Sequence, residues 1–140
     1  MKRLLIVEDD FFIRDMYVRV FTEEGYTVDV ADDGDQALEK TKGNRFDMIL
    51  LDIMIPKVNG IEVLKNCRES THPAKDTPIF LLTNVGQDNI IKDAFKIGAN
   101  GYLIKASYTP IEVVKEITSF FNKQSSGNPP SPSNAGTSTT

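Results

Sequence analysis

The sequence has few of the residues that build disulfide-rich or metal-rich scaffolds, since its 140 residues include one cysteine, Cys67, and one histidine, His72. A single cysteine excludes an intramolecular disulfide and a cysteine metal cage, and it is typical of a protein in a reducing cytoplasm. We therefore expect Cys67 to be an ordinary, half-buried thiol on a helix. We expect His72 to be a plain surface residue in a loop.

Long apolar runs are also missing. The positive charges of Lys2 and Arg3 are typical of the start of a signal peptide, but the apolar run that follows, residues 4–7, ends at Glu8. A run this short cannot form the apolar core of a signal peptide or span a membrane. We predict a cytoplasmic protein that does not associate with membranes.

Neither sign of charge dominates, since 16 Lys and Arg oppose 20 Asp and Glu for a net charge of −4. Bulk electrostatics therefore gives no reason to expect direct binding to nucleic acid. Charge is absent from residues 124–140, where Ser, Thr, Pro, Gly and Asn dominate. Such a stretch cannot bury enough apolar surface to offset its chain entropy. We predict a folded domain over residues 1–122 and a disordered tail or linker over residues 123–140.

Short apolar runs alternate with segments of helical periodicity along the folded part of the chain. The predicted strands are residues 4–7, 27–30, 48–51, 79–82 and 101–104. The predicted helices are residues 11–24, 35–42, 60–69, 88–97 and 110–122. Strands that are apolar without alternation are covered on both faces, and strict alternation of strands with helices indicates a parallel sheet. The sequence thus predicts a doubly wound α/β fold with helices on both faces, whose five-stranded parallel sheet has the flavodoxin-like order 2-1-3-4-5.

Reactive side chains follow the predicted strands where each strand ends. They are Glu8, Asp9 and Asp10 after the first strand, Asp52 after the third, Thr83 after the fourth and Lys105 after the fifth. Because the carboxyl ends of parallel strands share one edge of the sheet, these side chains should converge on one crevice. Clustered carboxylates need a cation, and oxygen ligands suit Mg²⁺. With that ion bound, Asp52 can serve as a nucleophile toward phosphorus.

Four segments resemble, in order and spacing, the receiver domain of two-component response regulators. They are LLIVEDD, LLDIMIPKVNG, FLLT and GYLIK, and the resemblance covers residues 1–122. It implies that Asp52 is the phosphoacceptor and that Glu8 and Asp9 are the acidic pair, with Asp9 binding Mg²⁺, or Mn²⁺ in its place, directly and Glu8 binding it through water. The backbone carbonyl of Met54 would be a further metal ligand, and Lys105 would contact the phosphoryl group.

The resemblance also implies a mechanism. A sensor histidine kinase or a phosphotransfer protein supplies the phosphoryl group, and Asp52 accepts it. Thr83 and Tyr102 are the switch pair: Thr83 shifts toward the new phosphoryl oxygen and Tyr102 follows. The face made by the fourth helix, the fifth strand and the fifth helix then repacks, and a downstream protein binds there. The chain would be a monomer or a phosphorylation-dependent dimer. It would not be a turnover enzyme, although its own residues would assist transfer and loss of the phosphoryl group.

The sequence departs from this family at two places. Ala106 follows Lys105, where the family usually has a proline joined by a cis bond. A cis bond without proline costs about 3–4 kcal/mol, so we expect either a strained cis Lys105–Ala106 bond or a reshaped trans loop. Met54 and Val85, which flank the family's route for attacking water, are apolar and cannot orient a water molecule. We therefore expect slow loss of the phosphoryl group.

Three other functions stay open. A phosphatase of the haloacid dehalogenase type would need a second aspartate two residues after Asp52, but Met54 occupies that position. A flavin carrier would need a phosphate-binding loop after the first strand, where this chain has acidic residues. A receiver-like interaction domain that works without phosphorylation is kept open by Ala106.

Several charged residues near these motifs have simpler expected roles. We expect Asp10 to cap the first helix, and Asp32 and Asp33 to be turn and cap residues before the second helix. We expect Lys57, which follows Pro56, to be solvated.

Overall fold

The computed structural model describes residues 2–84 and 88–125. In these two segments, strands form one parallel sheet: β1 (Arg3–Val7), β2 (Thr27–Ala31), β3 (Met48–Leu51), β4 (Ile79–Thr83) and β5 (Gly101–Ile104). Their order is β2-β1-β3-β4-β5, and every neighbouring pair is parallel. The predicted fold class and strand order are confirmed.

Helices follow the strands on both faces of the sheet. Those in the described residues are α1 (Phe11–Glu23), α2 (Gly34–Gly43), α3 (Gly60–Cys67), α4 (Asp88–Ile97), a short 3₁₀-helix (Lys105–Ser107) and α5 (Pro110–Ser125). In this part of the chain, none of the helices is both long and apolar enough to cross a membrane.

Polar side chains begin the helices by binding backbone N–H groups that the first turn leaves unpaired. The Asp10 carboxylate accepts two such hydrogen bonds from the first turn of α1, at 2.9 and 3.1 Å. Asp33 caps α2 in the same way, at 2.8 Å. Both predicted caps are confirmed. Lys57 is 61% exposed, as expected for a solvated side chain, and its Nζ lies 3.4 Å from a carboxylate oxygen of Asp33.

Two apolar cores cover the two faces of the sheet. In β1, Leu5 and Val7 pack into the core shared with α2, α3 and α4, whereas Leu4 and Ile6 pack into the core shared with α1 and α5. The central strands β3 and β4 are buried along their whole length. Because burial on both faces holds these strands in place, the residues at their carboxyl ends are positioned by the sheet itself.

Three expectations need correction. Cys67 is fully buried at the end of α3, rather than half-buried, because it faces the core. His72 is a buried residue, 9% exposed, and not a surface one, because consecutive turns between α3 and β4 fold its ring inward. Its Nδ1 accepts a hydrogen bond from the Ala74 N–H at 2.9 Å. Helix α5 continues past residue 122 to Ser125, because Lys123 and Gln124 are good helix formers. The rest of the predicted tail, residues 126–140, lies outside the described residues.

Candidate functional site

The register of the sheet brings acidic side chains together at its carboxyl edge. Val7 of β1 pairs with Leu51 of β3, so Glu8 and Asp52 leave neighbouring strands at the same level. The Asp52 N–H continues that register by donating to the Val7 carbonyl oxygen at 3.1 Å. One carboxylate oxygen from each of Glu8, Asp9 and Asp52 lies within 4.8 Å of the others. These three residues therefore form one acidic pocket.

Lys105 places an ammonium group inside this acidic pocket. Its Nζ donates to Asp52 Oδ2 at 2.8 Å and also donates to Glu8 Oε1. The three side chains are almost enclosed, with exposed fractions of 9% for Lys105, 7% for Asp52 and 4% for Glu8. A carboxylate at the end of a buried apolar strand would be heavily destabilised by desolvation, and the lysine supplies the opposite charge that offsets it.

Burial and charge act in opposite directions on the groups of the pocket. Burial raises the pKa of Glu8 above its ordinary value, and the hydrogen bonds from Lys105 and from the Asp10 N–H offset that effect only in part. Burial on its own lowers the pKa of Lys105, but hydrogen bonds and negative charges from Asp52 and Glu8 outweigh it. The pKa of Lys105 therefore lies above its ordinary value, and the lysine is a permanent cation at neutral pH.

The remaining carboxylate oxygens are held by backbone N–H groups. Glu8 Oε2 accepts from the Asp10 N–H at 3.1 Å, and Asp52 Oδ1 accepts from the Met54 N–H at 3.1 Å. Asp9 is exposed and faces solvent. The donor set thus consists of carboxylate oxygens with one side open to water. That chemistry fits Mg²⁺, which prefers a few carboxylates and keeps several water ligands.

The start of α3 lies close to the backbone of Asp52. A Cβ atom added at Gly60 would lie 2.3 Å from the Asp52 carbonyl oxygen, so only glycine allows α3 to begin at this distance. The Gly60 N–H donates to the Ile53 carbonyl oxygen at 2.9 Å, and Asn59 caps the helix. The Asn-Gly pair of the sequence motif therefore serves to fix the backbone that carries Asp52.

Lys105 reaches the pocket although Ala106 stands where the receiver domains that the sequence resembles usually have proline. Within the described chain every peptide bond is trans, and Lys105–Ser107 form the 3₁₀-helix. This is the reshaped trans loop, one of the two geometries expected. Because Lys105 still binds Asp52, the departure at Ala106 gives no support to a domain that works without phosphorylation.

The other predicted residues lie around the pocket. Thr83 is fully buried at the end of β4. Tyr102 is half-buried in β5 and packs edge-on against Phe95 of α4, with ring centroids 6.0 Å apart. Met54 is 67% exposed beside Asp52, and its role as a carbonyl ligand stays a prediction. Val85 lies outside the described residues.

Sequence reasoning missed Arg14. Its Nη1 donates to the Glu8 carbonyl oxygen at 3.0 Å and lies 3.0 Å from a carboxylate oxygen of Asp32. The available signal was a basic residue on the apolar stripe of α1, three positions before Tyr17 and seven before Phe21, both of which are buried. A charge on a core-facing stripe needs a partner inside the protein.

Sequence reasoning also missed an exposed apolar surface beside the pocket. Phe11 and Phe12, which directly follow Asp10 at the start of α1, are 61% and 82% exposed. A groove of about 210 Å³ borders Lys105 on the same edge of the sheet. It is lined in part by Met16, Tyr17, Asn84, Ala106 and Tyr108. Large apolar side chains exposed next to a reactive site are typical of a protein-binding surface.

Comparison with known proteins points to one family. The family model described as the response regulator receiver domain matches residues 4–118. The chain is 34% identical over 123 residues to the transcriptional regulatory protein ResD of Bacillus subtilis, and the match covers 88% of this chain and 49% of ResD. The chain spans about half the length of the curated relatives it matches.

Solved structures show the same likeness. Chemotaxis response regulator CheY4 of Vibrio cholerae has a TM-score of 0.78 at 33% identity, covering 85% of this chain and 98% of that one. Response regulator TrrA of Thermotoga maritima, solved in complex with Mg²⁺ and BeF, has a TM-score of 0.72 at 32% identity, covering 85% of this chain and 98% of that one.

Proposed function

This chain belongs to the receiver domain family of two-component response regulators, and we propose that Asp52 is the residue that accepts the phosphoryl group. The family makes the chain a phosphoacceptor signalling module and not a turnover enzyme. The observation that carries the assignment to Asp52 is its place in the pocket: a nearly enclosed carboxylate, bound by Lys105 at 2.8 Å, with Glu8 and Asp9 beside it.

Asp9 and Asp52 would hold Mg²⁺ directly through carboxylate oxygens, Glu8 would hold it through a water molecule, and the Met54 carbonyl would be a further ligand. Mn²⁺ could replace it, because it also accepts oxygen ligands. The ion would offset the negative charge on the oxygens of the transferred phosphoryl group. Support for this site comes from the chemistry of the donor set and from the spacing of the three carboxylates.

Phosphoryl transfer is a displacement at phosphorus by the Asp52 carboxylate. One Asp52 oxygen forms the new P–O bond while the P–N bond of a phosphohistidine donor breaks, and the donor imidazole keeps the electron pair. Lys105 Nζ binds a phosphoryl oxygen after transfer, and support for this role comes from its hydrogen bond to Asp52 Oδ2. The same side chains also assist the later loss of the phosphoryl group to water.

The phosphoryl donor is another protein, a sensor histidine kinase or a phosphotransfer protein. Support comes from His72, the one histidine of the chain, which is buried between α3 and β4, away from the strand ends that carry the pocket. Further support comes from the exposed rings of Phe11 and Phe12 at the start of α1, which give a partner an apolar surface. The domain meets this donor in the cytoplasm, and its partners are proteins and not nucleic acid or membrane.

Phosphorylation is transmitted by Thr83 and Tyr102. The Thr83 hydroxyl moves to donate a hydrogen bond to a phosphoryl oxygen, and Tyr102 moves into the space that Thr83 leaves. Because Tyr102 packs on Phe95 of α4, its movement changes the packing of α4 against β5. The face of α4, β5 and α5 then binds a downstream protein or a second phosphorylated copy. The added phosphoryl group thus shifts the equilibrium between two packing arrangements of α4 against β5.

The test is labelling by acetyl phosphate with Mg²⁺, read by intact mass. We expect the wild type to gain about 80 Da, the mass of one phosphoryl group, and Asp52→Asn to gain nothing. The matched control is Asp47→Asn, because Asp47 precedes β3 and binds the Arg3 N–H at 2.7 Å, at the opposite end of the strand. Chelation should abolish labelling, and Mn²⁺ should restore it. Equal labelling of wild type and Asp52→Asn would remove the assignment.

A further inference from the structure

Arg14 joins two loops at the acidic edge of the sheet. Its side chain is 14% exposed, and its Nη1 reaches both the Glu8 carbonyl oxygen and a carboxylate oxygen of Asp32, each at 3.0 Å. The ring of Phe11 covers the guanidinium, with 5.6 Å between the guanidinium carbon and the ring centroid. The contact therefore links α1 to the end of β1 and to the loop after β2.

The carbonyl that Arg14 binds belongs to the peptide bond between Glu8 and Asp9. On the other side of Glu8, its N–H donates to the Ala31 carbonyl oxygen at 3.1 Å. The main chain of Glu8 is thus held at both its N–H and its C=O. Rotation of the Glu8–Asp9 peptide plane would break the contact with Arg14, so the plane has one orientation. That orientation sets the direction in which the Asp9 side chain leaves the backbone, and it acts together with the contacts from Lys105 and the Asp10 N–H that hold the Glu8 carboxylate.

We propose that Arg14 is a positioning residue for magnesium: it fixes the Glu8–Asp9 peptide so that both carboxylates face the ion at once. This inference rests on the proposed magnesium site. A ligand pair that is already oriented loses less conformational freedom when the ion binds. Groups that orient metal ligands in this way typically contribute about 10–100-fold to metal affinity.

Charge and positioning predict opposite effects of removing Arg14. A guanidinium next to the pocket repels a divalent cation, so electrostatics alone predicts that Arg14→Met binds Mg²⁺ more tightly. Loss of the fixed peptide plane predicts weaker binding, by about tenfold. The direction in which the Mg²⁺ affinity changes therefore distinguishes electrostatic repulsion by Arg14 from positioning by Arg14.

The experiment is calorimetric titration of Mg²⁺ into the wild type, Arg14→Met, Arg14→Lys and the control Arg19→Met. Arg19 lies on the same helix in a solvent-exposed pair with Asp15, its side chain 70% exposed. We expect Arg14→Met to bind about tenfold more weakly and the control to stay within about twofold of the wild type. Arg14→Lys retains the charge but lacks the guanidinium fork, so it should also bind more weakly. If Arg14→Met fails to fold by circular dichroism, Arg14→Lys decides the question.

A second readout separates positioning from chemistry. In acetyl phosphate labelling of Arg14→Met, the Mg²⁺ concentration for half-maximal rate should rise by the same factor as the dissociation constant. The rate at saturating Mg²⁺ should stay within about twofold of the wild type. Unchanged or tighter binding in the Arg14 variants would overturn the role of Arg14 alone. Failure of the wild type to bind Mg²⁺ would instead overturn the proposed magnesium site, and the role of Arg14 with it.

Discussion

Lys105→Met is the substitution that most directly tests the electrostatics of the pocket. Lys105 contacts both Glu8 and Asp52, and all three side chains are at least nine-tenths enclosed. Methionine keeps most of the unbranched side chain and fills irregular space well, but it removes the charge. The variant therefore leaves two buried carboxylates that have lost their ammonium partner.

Two arguments set the size of the effect. Removing one partner of a buried ion pair typically destabilises a protein by about 3–5 kcal/mol. The variant can limit that loss by protonating Glu8, whose pKa burial already raises above the ordinary 4.5. At about 1.36 kcal/mol per pH unit, protonating a carboxyl group of that ordinary pKa costs about 3.4 kcal/mol at pH 7 and about 0.7 kcal/mol at pH 5. We therefore expect a loss of about 3 kcal/mol at pH 7 that falls below about 1 kcal/mol at pH 5.

The measurement is urea unfolding followed by far-ultraviolet circular dichroism, because the chain has no tryptophan. Lys105→Arg is the control, since it keeps a positive charge and should lose much less stability. Saturating Mg²⁺ should narrow the gap between Lys105→Met and the wild type, because the ion replaces the missing positive charge. A loss below about 1 kcal/mol at pH 7, the value typical of an exposed ion pair, would refute the reasoning.

Three further predictions concern single side chains. Met54→Asn should speed loss of the phosphoryl group severalfold, because the amide can orient a water molecule beside Asp52; an unchanged decay of the labelled mass would contradict this. His72 has its pKa lowered by burial and by the charge of Lys42, so the unfolded chain binds the proton more readily. The free energy of unfolding should therefore fall as pH drops through 6.5. His72→Asn keeps an acceptor for the Ala74 N–H and should show a smaller fall, measured by urea unfolding. Equal falls in the wild type and in the variant would contradict this prediction. Asp10→Ala should lose about 1 kcal/mol of stability with its helix cap and keep its labelling by acetyl phosphate, whereas loss of labelling would indicate a direct role at the metal.

Much of the fold could be predicted from local pattern. Apolar runs such as Met48–Leu51 predict buried strands, because a strand that is covered on both faces needs apolar side chains on both of them. The starts of α1 and α2 could also be predicted, because Asp10 and Asp33 bind the first N–H groups of these helices through contacts between residues close in sequence. The sequence predicts that α5 ends at residue 122, whereas the helix continues to Ser125, because nothing in the composition of residues 123–125 prevents it from continuing.

The chain by itself determined which groups stand at the carboxyl edge. The alternation of strands with helices places Glu8 after β1, Asp52 after β3 and Lys105 after β5, and parallel pairing of the strands then brings those three ends to one edge of the sheet. These are consequences of short-range pattern and of the rules of parallel sheets, which need no knowledge of side-chain contacts.

Tertiary structure alone decided the contacts between groups far apart in sequence. Lys105 binds Glu8 and Asp52 from a trans 3₁₀-helix, a geometry that the sequence left as one of two alternatives. Arg14 donates to the Glu8 carbonyl oxygen only because α1 packs beside the end of β1. His72 lies in the interior only because the turns between α3 and β4 pack against the core. Periodicity predicts which face of a helix or strand is buried. The partner of a buried charge depends instead on how the helices pack on the sheet, and the packing of the whole core decides that arrangement.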